Sequence, residues 1–259
     1  MPCYRCADTI ERAVVSVDAQ TLKPAEVILV DDFSNDGTLE VLYELQRRFP
    51  EGWIKVIAVR KNGGPGEARN VGWNAAARDY IAFLDADDSW HPQKIEIQYR
   101  WMRDHPYVAL TGHDCLQRSG TKKSRDEMFL IDNVPSHQVS KASLLIRNQF
   151  STRSVMLKRS IQQRFAGGKR YSEDYLLWLE IICAGHRVAK IDLPLAYLYK
   201  APYGEGGLSA HLWEMELGEV DAYRRLRSAN CLSVAAYLLL GVWSWLRFIR
   251  RLALARLLS

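Results

Sequence analysis

The first half of the chain alternates short apolar runs with segments of helical spacing. The apolar runs cover 26–30, 54–59 and 80–84, and each is followed by a loop and then by apolar residues three or four positions apart. Short runs of this kind predict buried strands, and the spacing between them predicts helices. The alternation therefore predicts an α/β fold with a mostly parallel sheet and helices on both faces. Ligands of such folds bind beyond the carboxyl ends of the strands.

Acidic side chains follow two of these predicted strands. Asp31 and Asp32 come directly after the first, and three carboxylates lie within the turn from Asp85 to Asp88 after the third. Crowded carboxylates repel one another unless a cation neutralises them, and a hard divalent ion also binds substrate phosphates. The turn therefore predicts a metal site at this edge of the sheet. A solvated acidic turn that caps the next helix is the alternative.

Four segments resemble, in the same order, those of inverting family 2 glycosyltransferases. They are PCYRCADTIERAVVSV from Pro2, QTLKPAEVILVDDFSNDGT from Gln20, NGGPGEARNVG from Asn62 and YIAFLDADD from Tyr80. Spaced features continue the resemblance toward His211. It implies the GT-A fold and a metal-dependent transfer of a sugar from a nucleotide diphosphate sugar, expected to be a UDP-sugar, to an acceptor hydroxyl. The expected products are bacterial polysaccharide, O-antigen or lipid-linked glycan.

The resemblance places most of the matching residues at the donor. Those expected around the nucleotide and sugar are Pro2, Cys3 and Tyr4 beside the nucleotide, Asp32 on the uracil, Arg69 at the base and ribose, and Asp85 at the ribose or sugar. Asp87 or Asp88 would bind Mn²⁺ or Mg²⁺, and the sequence leaves open which of them is the ligand. His211, in a glycine-rich stretch, would contact the metal or the diphosphate.

The catalytic base is expected in a pair of acidic residues farther along the chain. Glu173 and Asp174, in the segment SEDYLLWL from Ser172, resemble the acidic helix start of the family. The resemblance makes Asp174 the general base and places Glu173 with the substrate. An inverting transfer needs a carboxylate on the acceptor side to take the hydroxyl proton as the anomeric carbon is attacked. Without the resemblance, the pair is more simply explained as acids that favour a first helical turn.

Two other functions are open at this point. The run from Asp85 to Ser89 resembles the nucleophile loop of haloacid dehalogenase-like phosphohydrolases, although that loop normally begins a chain and here three β/α units precede it. The alternative from a different class is a non-catalytic nucleotide-sugar-binding membrane module. The presence of Asp87 and Asp174 weighs against that alternative.

The beginning of the sequence departs from the family. Family members carry an apolar strand before the Pro-x-Tyr element, whereas here Met1 stands directly before Pro2. Without that strand, the edges of both neighbouring strands would be exposed. We therefore expect either a start assigned too far downstream or a chain that folds poorly.

The end of the sequence is basic and apolar. No acidic residue follows Asp221, whereas seven arginines do, so the excess positive charge of the chain lies in the tail. The 19 residues from Ser228 to Leu246 carry no charge, a length borderline for a spanning helix. Because arginines lie on both sides, an interfacial or re-entrant helix is favoured over a span. A helix packed on the catalytic domain or on a partner subunit remains the alternative.

These patterns predict how the chain divides into two regions and where in the cell the protein is found. We expect a GT-A domain over 1–215 and a helical, membrane-associated tail over 216–259. The five cysteines are scattered and odd in number, which predicts a reducing compartment without a disulfide framework. The body lacks a basic stripe with interleaved aromatic residues, so no nucleic-acid partner is expected. The predicted place is the cytoplasm, at the inner face of the cell membrane, where a lipid-linked acceptor would be found.

Overall fold

The computed structural model describes residues 1–118, 127–131, 133–199 and 211–258, with side chains up to residue 252. Within these ranges the strands are β1 (Pro2–Cys3), β2 (Val27–Asp31), β3 (Ile54–Ala58), β4 (Tyr80–Ala82), β5 (Ser89–Trp90), β6 (Val108–Gln117), β7 (Ser136–Val139), β8 (Met156–Lys158) and β9 (Arg187–Leu198). The helices are α1 (Ile10–Asp18), α2 (Thr38–Arg48), α3 (Pro65–Ala75), α4 (Lys94–Asp104), α5 (Lys141–Ile146), α6 (Glu173–Cys183), α7 (Leu212–Ser228) and α8 (Val234–Leu258). A 3₁₀ turn covers Thr152–Ser154.

The first three strands form the parallel sheet that the alternation predicts. Their order is β1-β2-β3, and β2 pairs with β3 from Val27 opposite Ile54 to Asp31 opposite Ala58. The helix α1 buries Ile10, Val14 and other apolar residues of one face in a core shared with these strands. As a result, the carboxyl end of β2 delivers Asp31 and Asp32 to the edge of the sheet.

The remaining strands form a mixed sheet in the order β4-β8-β6-β9-β5, with β7 paired to β9. Only β6 and β9 are parallel within it, whereas the other pairs are antiparallel. The expectation of a mostly parallel sheet therefore holds for β1 to β3 but is wrong for this sheet. Strand β7 has the mostly polar sequence SHQV, which shows little of the apolar alternation that predicts a strand.

The two sheets do not pair with each other among the described residues. Strand β1 consists of only Pro2 and Cys3, which pair with Val30 and Asp31. A cavity of about 450 Å³ lies between β2 and β4, lined largely by apolar side chains that include Met1, Ile28, Trp73, Ile81, Phe83 and Met156. Among the described residues, β1 pairs only with β2, and β4 pairs only with β8.

The helix α7 belongs to the body of the protein. Tyr223 and Leu226 of α7 are buried in the same apolar core as Trp178 of α6. The Tyr175 hydroxyl donates to the backbone oxygens of Leu144 and Leu145 beside this core. The expected boundary between 215 and 216 falls within α7, whose packing continues the catalytic body up to the turn before α8.

A disulfide joins the end of α6 to the turn between α7 and α8. Its cysteines, Cys183 and Cys231, have Cα atoms 5.9 Å apart and are 48 positions apart in the sequence. The expectation that the cysteines stay reduced is therefore wrong for this pair, whereas Cys3, Cys6 and Cys115 are free thiols. Neither spacing nor composition indicates which cysteines meet, since their approach depends on the packing of α7 on α6.

Candidate active site

The acidic residues predicted from the sequence lie at the ends of three elements. Asp32 follows β2, the turn from Asp85 to Asp88 follows β4, and Glu173 begins α6 with Asp174 next to it. Strand ends and a helix start leave backbone groups and side chains pointing away from the sheet. The structure thus brings the turn from Asp85 to Asp88 and the acidic pair, which the sequence predicts on the donor and the acceptor side, toward one edge of the fold.

Asp32 organises the glycine-rich loop that follows β3. Its carboxylate accepts hydrogen bonds from the backbone N–H of Gly63 and of Gly64, each at 2.8 Å. Gly64 has a φ of +88°, which favours glycine at this position. Burial raises the pKa of the Asp32 carboxyl, and the two N–H groups oppose that effect. The remaining lone pairs of the carboxylate can still accept hydrogen bonds from a base. The contact of Asp32 with uracil stays a prediction.

Of the first three residues predicted beside the nucleotide, only Tyr4 presents its side chain clearly to solvent, with 46% of its surface exposed. Cys3 is completely buried, and its thiol lies 3.6 Å from the backbone oxygen of Met1. Pro2 is half-buried in β1. Cys3 can therefore flank a nucleotide only through its backbone, whereas Tyr4 can stack against one.

Arg69 joins the turn from Asp85 to Asp88 to the acidic pair. Its Nη2 lies 2.7 Å from Asp85 Oδ1, and its Nη1 lies 2.8 Å from Glu173 Oε1. Only 6% of the Arg69 side chain is exposed, so both carboxylates are needed to compensate for its buried charge. The sequence predicts Arg69 in a base and ribose pocket, whereas the structure encloses its guanidinium between two carboxylates. Arg69 therefore fixes the position of Asp85 relative to α6.

Arg153 holds the other side of the acidic turn. Its Nη1 lies 2.5 Å from Asp88 Oδ2, and its Nη2 lies 3.6 Å from Asp85 Oδ2. Burial raises the pKa of Asp88 to about 7, and Arg153 opposes this shift. Asp87 is half-buried, and its backbone oxygen accepts a hydrogen bond from Arg12. Sequence reasoning missed Arg153, which is 65 positions from Asp88 and lies in no recognisable motif.

The turn fits a metal ion that is shared with a ligand. Among the residues described, no three His, Cys, Asp or Glu side chains form a ready-made metal cluster. Only 3% of the Asp88 side chain is exposed and Arg153 pairs with it, whereas Asp87 is half-buried, so Asp87 is the more accessible ligand of the two candidates. Mg²⁺ is commonly held by one or two carboxylates together with substrate phosphates and waters. A single carboxylate at the tip of the turn is sufficient for such a site.

His211 lies at the start of α7 with an exposed ring. Its Nδ1 is 3.9 Å from Glu214, and its ring centre is 6.0 Å from that of Tyr171. The stretch 204–210 that precedes it lies outside the described residues. The expected contact of His211 with the metal or the diphosphate stays a prediction.

Asp174 is positioned by two hydrogen bonds. Its Oδ2 accepts from the Thr152 hydroxyl at 3.1 Å, and its Oδ1 accepts from the backbone N–H of Tyr175 at 2.7 Å. Burial raises the pKa of Asp174. Burial, together with the neighbouring charge of Asp174, raises the pKa of Glu173 to about 7. The Asp174 carboxylate also lines a cavity of about 560 Å³. A carboxylate with a raised pKa beside a cavity is well placed to take a proton from a bound hydroxyl.

The acidic pair predicts the pH dependence of the activity. A base must be unprotonated to act, so kcat/KM falls as the pH falls through the pKa of the base. Because burial raises the pKa of Asp174, this fall occurs at a higher pH than for an ordinary aspartate. A profile of kcat/KM between pH 4 and 9 measures it. A fall centred near the ordinary aspartate value of about 3.9 would contradict the arrangement.

This arrangement defines a class of protein. An α/β body with strand-end carboxylates suited to a shared metal, a glycine-rich loop beside them and a buried acidic pair opposite is the design of a GT-A sugar-nucleotide transferase. The profile of the family described as Glycosyl transferase family 2 matches residues 1–168. The match covers more than half of the chain, and the chain belongs to this family of glycosyltransferases. Membership excludes the phosphohydrolase alternative.

Curated relatives are similar over most of the chain. The amylovoran biosynthesis glycosyltransferase AmsE of Erwinia amylovora is 29% identical over 84% of this chain and 79% of its own length. A glucosyltransferase of Escherichia coli, WfaP, is 28% identical over 75% of this chain and 73% of its own length. Its full description is UDP-Glc:alpha-D-GlcNAc-diphosphoundecaprenol beta-1,3-glucosyltransferase.

Solved structures share the fold. Residues 1–349 of Staphylococcus aureus TarS, in complex with UDP-GlcNAc, match with a TM-score of 0.70 over 93% of this chain and 68% of that chain, at 18% identity. The mannosyltransferase PcManGT from Pyrobaculum calidifontis, in complex with GDP-Man and Mn²⁺, matches with a TM-score of 0.57 over 95% of this chain and 78% of that chain, at 17% identity. The predicted GT-A fold is thereby confirmed.

Proposed function

We propose that the protein transfers a sugar from a UDP-sugar to a hydroxyl of a polysaccharide or lipid-linked glycan, with inversion at the anomeric carbon. The observation that carries this proposal is the Arg69 bridge, which holds the donor-side Asp85 and the acceptor-side Glu173 in one ion-pair network. The activities named for AmsE and WfaP support the class of product. The nucleotide sugar bound to TarS supports the class of donor.

In the proposed sugar transfer, the residues on the two sides of the Arg69 ion pairs have different roles. Asp174 takes the proton of the acceptor hydroxyl as its oxygen attacks the anomeric carbon, and Thr152 keeps the carboxylate oriented. Asp87 would hold Mn²⁺ or Mg²⁺, which neutralises the negative charge of the leaving diphosphate when it is bound. Tyr4 and Asp32 lie where they can contact the nucleotide. Arg69 maintains the distance between the two halves of the site.

A thermal-stability screen tests the proposed donor class. A ligand that binds only the folded state raises the melting temperature in proportion to the logarithm of its concentration above Kd. We expect UDP and one or more UDP-sugars to raise the melting temperature in the presence of MnCl₂ or MgCl₂, and to raise it less in EDTA. Stabilisation by none of the nucleotide sugars, with either metal, would contradict the proposal.

The helix α8 supports association with a membrane surface. One side of α8 packs on α7, where Glu216 accepts a hydrogen bond from Ser244 at 2.5 Å and forms an ion pair with Arg251 at 2.7 Å. Arg247 forms an ion pair with Glu219 of α7. The side that faces solvent is apolar and carries the exposed residues Leu238, Leu239, Val242, Trp243, Leu246 and Ile249, here called the α8 apolar face. Among the described parts of the chain, no helix is both long and apolar enough to cross a membrane.

The ion pairs between α8 and α7 change the kind of membrane contact that is expected. Arginines near a membrane can attract anionic lipid, but two of the tail arginines are already neutralised by glutamates of α7. We therefore infer that the main contact is insertion of the α8 apolar face into the interface of the bilayer. Insertion of this kind resists salt, whereas a purely electrostatic contact weakens when the screening length shortens to about 3 Å at 1 M salt.

We therefore predict that a triple substitution, Leu238→Ser, Leu239→Ser and Val242→Ser, weakens vesicle binding by more than about tenfold. A fully buried side chain of this size contributes roughly 1.5–3 kcal/mol, and insertion buries part of each. Co-sedimentation with phosphatidylglycerol and phosphatidylcholine vesicles measures the effect. The control is Leu130→Ser, which changes another exposed leucine. Release of the parent protein by 1 M salt, or unchanged binding of the triple variant, would overturn the proposal.

A further inference from the structure

The residues that directly precede the acidic pair are held against α7. The ammonium group of Lys169 donates a hydrogen bond to the backbone oxygen of Gly218 at 2.6 Å and lies 3.2 Å from the carboxylate of Asp221. The hydroxyl of Ser172 donates to the backbone oxygen of Met215 at 3.2 Å. All three partners belong to one helix, so the position of α7 determines where α6 begins.

The approach of α7 to these residues is close enough to constrain the backbone. A Cβ atom at Gly218 would lie 2.6 Å from the backbone oxygen of Tyr171, a distance too short for any residue except glycine. Ser172 has a φ of +53°, in the left-handed region that residues other than glycine rarely adopt. Such a conformation persists only where the surrounding contacts impose it. The close approach of α7 and its hydrogen bond to Ser172 supply this constraint directly before the acidic pair.

The charge of Lys169 is buried between acidic side chains. Only 5% of the Lys169 side chain is exposed. Burial lowers the pKa of Lys169, whereas Asp221 and Glu173 oppose that shift. Asp221 also pairs with Arg224 at 2.5 Å and with Arg225 at 2.8 Å. Replacement of Lys169 by an uncharged residue therefore leaves Asp221 with two cations, and we expect the fold to tolerate it.

The contacts on the other side of these residues do not involve α7. Arg170 donates to the side-chain oxygen of Asn62 in the glycine-rich loop at 2.7 Å, and Glu173 pairs with Arg69 at 2.8 Å. Loss of the contacts with α7 would leave these two in place. The start of α6 would then lose its support on one side only, which displaces the acidic pair without dismantling the glycine-rich loop.

We infer that Lys169 is a positioning residue for sugar transfer, because it holds the start of α6 against α7 and thereby fixes the place of the Asp174 carboxylate. It acts through Asp174 and not through a contact with substrate. A displacement of a reacting group by about 1 Å can cost about 100-fold in rate, so support at the start of α6 affects the transfer directly. The inference rests on the proposed function, in which Asp174 is the base, and adds a residue that supports this base from α7.

The substitution Lys169→Met tests the inference, because it keeps a side chain of similar size and removes the ammonium group. We expect kcat to fall by about tenfold or more through displacement of the base, whereas the affinity for UDP in Mn²⁺ stays unchanged. Transfer is measured with the UDP-sugar that stabilises the protein most and with undecyl N-acetylglucosaminyl diphosphate as the acceptor probe. Lys169→Arg keeps a cation that can donate to the same oxygens, and it should restore most of the rate.

Hydrogen exchange followed by mass spectrometry gives a second readout that needs no turnover. Exchange over residues 172–178 should be about tenfold faster in Lys169→Met, the usual worth of one charge-assisted hydrogen bond, while exchange in α1 should not change. The matched control is Lys23→Met, which removes an exposed ion pair with Asp18 at 2.5 Å. This control should change neither kcat nor the exchange over 172–178.

Unchanged exchange over 172–178 in Lys169→Met would overturn the inference, as would faster exchange there with an unchanged kcat. A loss of rate with equally faster exchange in α1 would also overturn it, because Lys169 would then only stabilise the fold. If Lys169→Met does not fold, Lys169→Gln, which keeps a hydrogen-bond donor, is judged by the same criteria. If the parent transfers no sugar but Lys169→Met shows the local change in exchange, the proposed function fails and the support of α6 by Lys169 stands.

Discussion

Replacement of Asp174 by Asn lowers the rate of sugar transfer by about 100-fold or more, which is the usual contribution of a positioned general base. The amide keeps the size of the carboxylate and can still bond to Thr152, but it cannot accept the proton of the attacking hydroxyl. The affinity for UDP should persist, because Asp32 and the Asp85 to Asp88 turn are untouched. Steady-state kinetics at saturating donor and titration with UDP measure the two effects.

The matched control for this variant is Asp104→Asn. Asp104 is an exposed aspartate at the end of α4, with 59% of its side chain accessible, and its substitution should leave the rate unchanged. Loss of UDP affinity with an unchanged transfer rate in Asp174→Asn would place Asp174 on the nucleotide side. That outcome would contradict the assignment of the base.

The second large effect is expected at the acidic turn. Asp87→Ala should weaken metal-dependent UDP binding by more than about 100-fold, since loss of residues that only support a metal ligand already costs about 10–100-fold in metal affinity. Titration with UDP in MnCl₂ and in EDTA measures this loss. In EDTA the parent and the variant should bind UDP with similar, weaker affinity, because the carboxylate acts through the metal.

The variant Asp88→Ala distinguishes an effect on UDP binding from an effect on the stability of the fold. It removes the carboxylate that lies 2.5 Å from Arg153, and it should lower the melting temperature because a largely buried guanidinium loses its closer partner. Metal-dependent binding of UDP should change less than in Asp87→Ala. If Asp88→Ala abolishes that binding and Asp87→Ala does not, the two carboxylates have the opposite roles to those proposed.

The sequence predicted the fold best where local patterns and packing agree. The strands β2, β3 and β4 are found within a few residues of the predicted runs 26–30, 54–59 and 80–84, because short apolar runs bounded by turns are buried as strands. The second half was less predictable. Strand β7 has a polar sequence. The short β8 follows a 3₁₀ turn that the spacing of the apolar residues does not predict.

The same contrast applies to the site. Asp32, Asp85 and Asp87 are visible in the sequence because each stands at the end of a predicted strand. The partners that set their charges are not visible, since Arg153 reaches Asp88 across 65 positions and Arg69 reaches Glu173 across 104. Contacts of this kind depend on the packing of elements that are far apart in the sequence, such as α3 against the start of α6. Tertiary packing also determines the ion pairs of α8, which change the predicted character of the tail.

The anomeric configuration of the product tests the central claim most directly. A single carboxylate that activates the acceptor, without a protein nucleophile, gives one displacement at the anomeric carbon and therefore inversion. The protein is incubated with the α-linked UDP-sugar that stabilises it most, Mn²⁺ and undecyl N-acetylglucosaminyl diphosphate, and the new linkage is examined by proton NMR. We predict a β-linked product, formed at least about 100-fold more slowly by Asp174→Asn. An α-linked product would contradict the account.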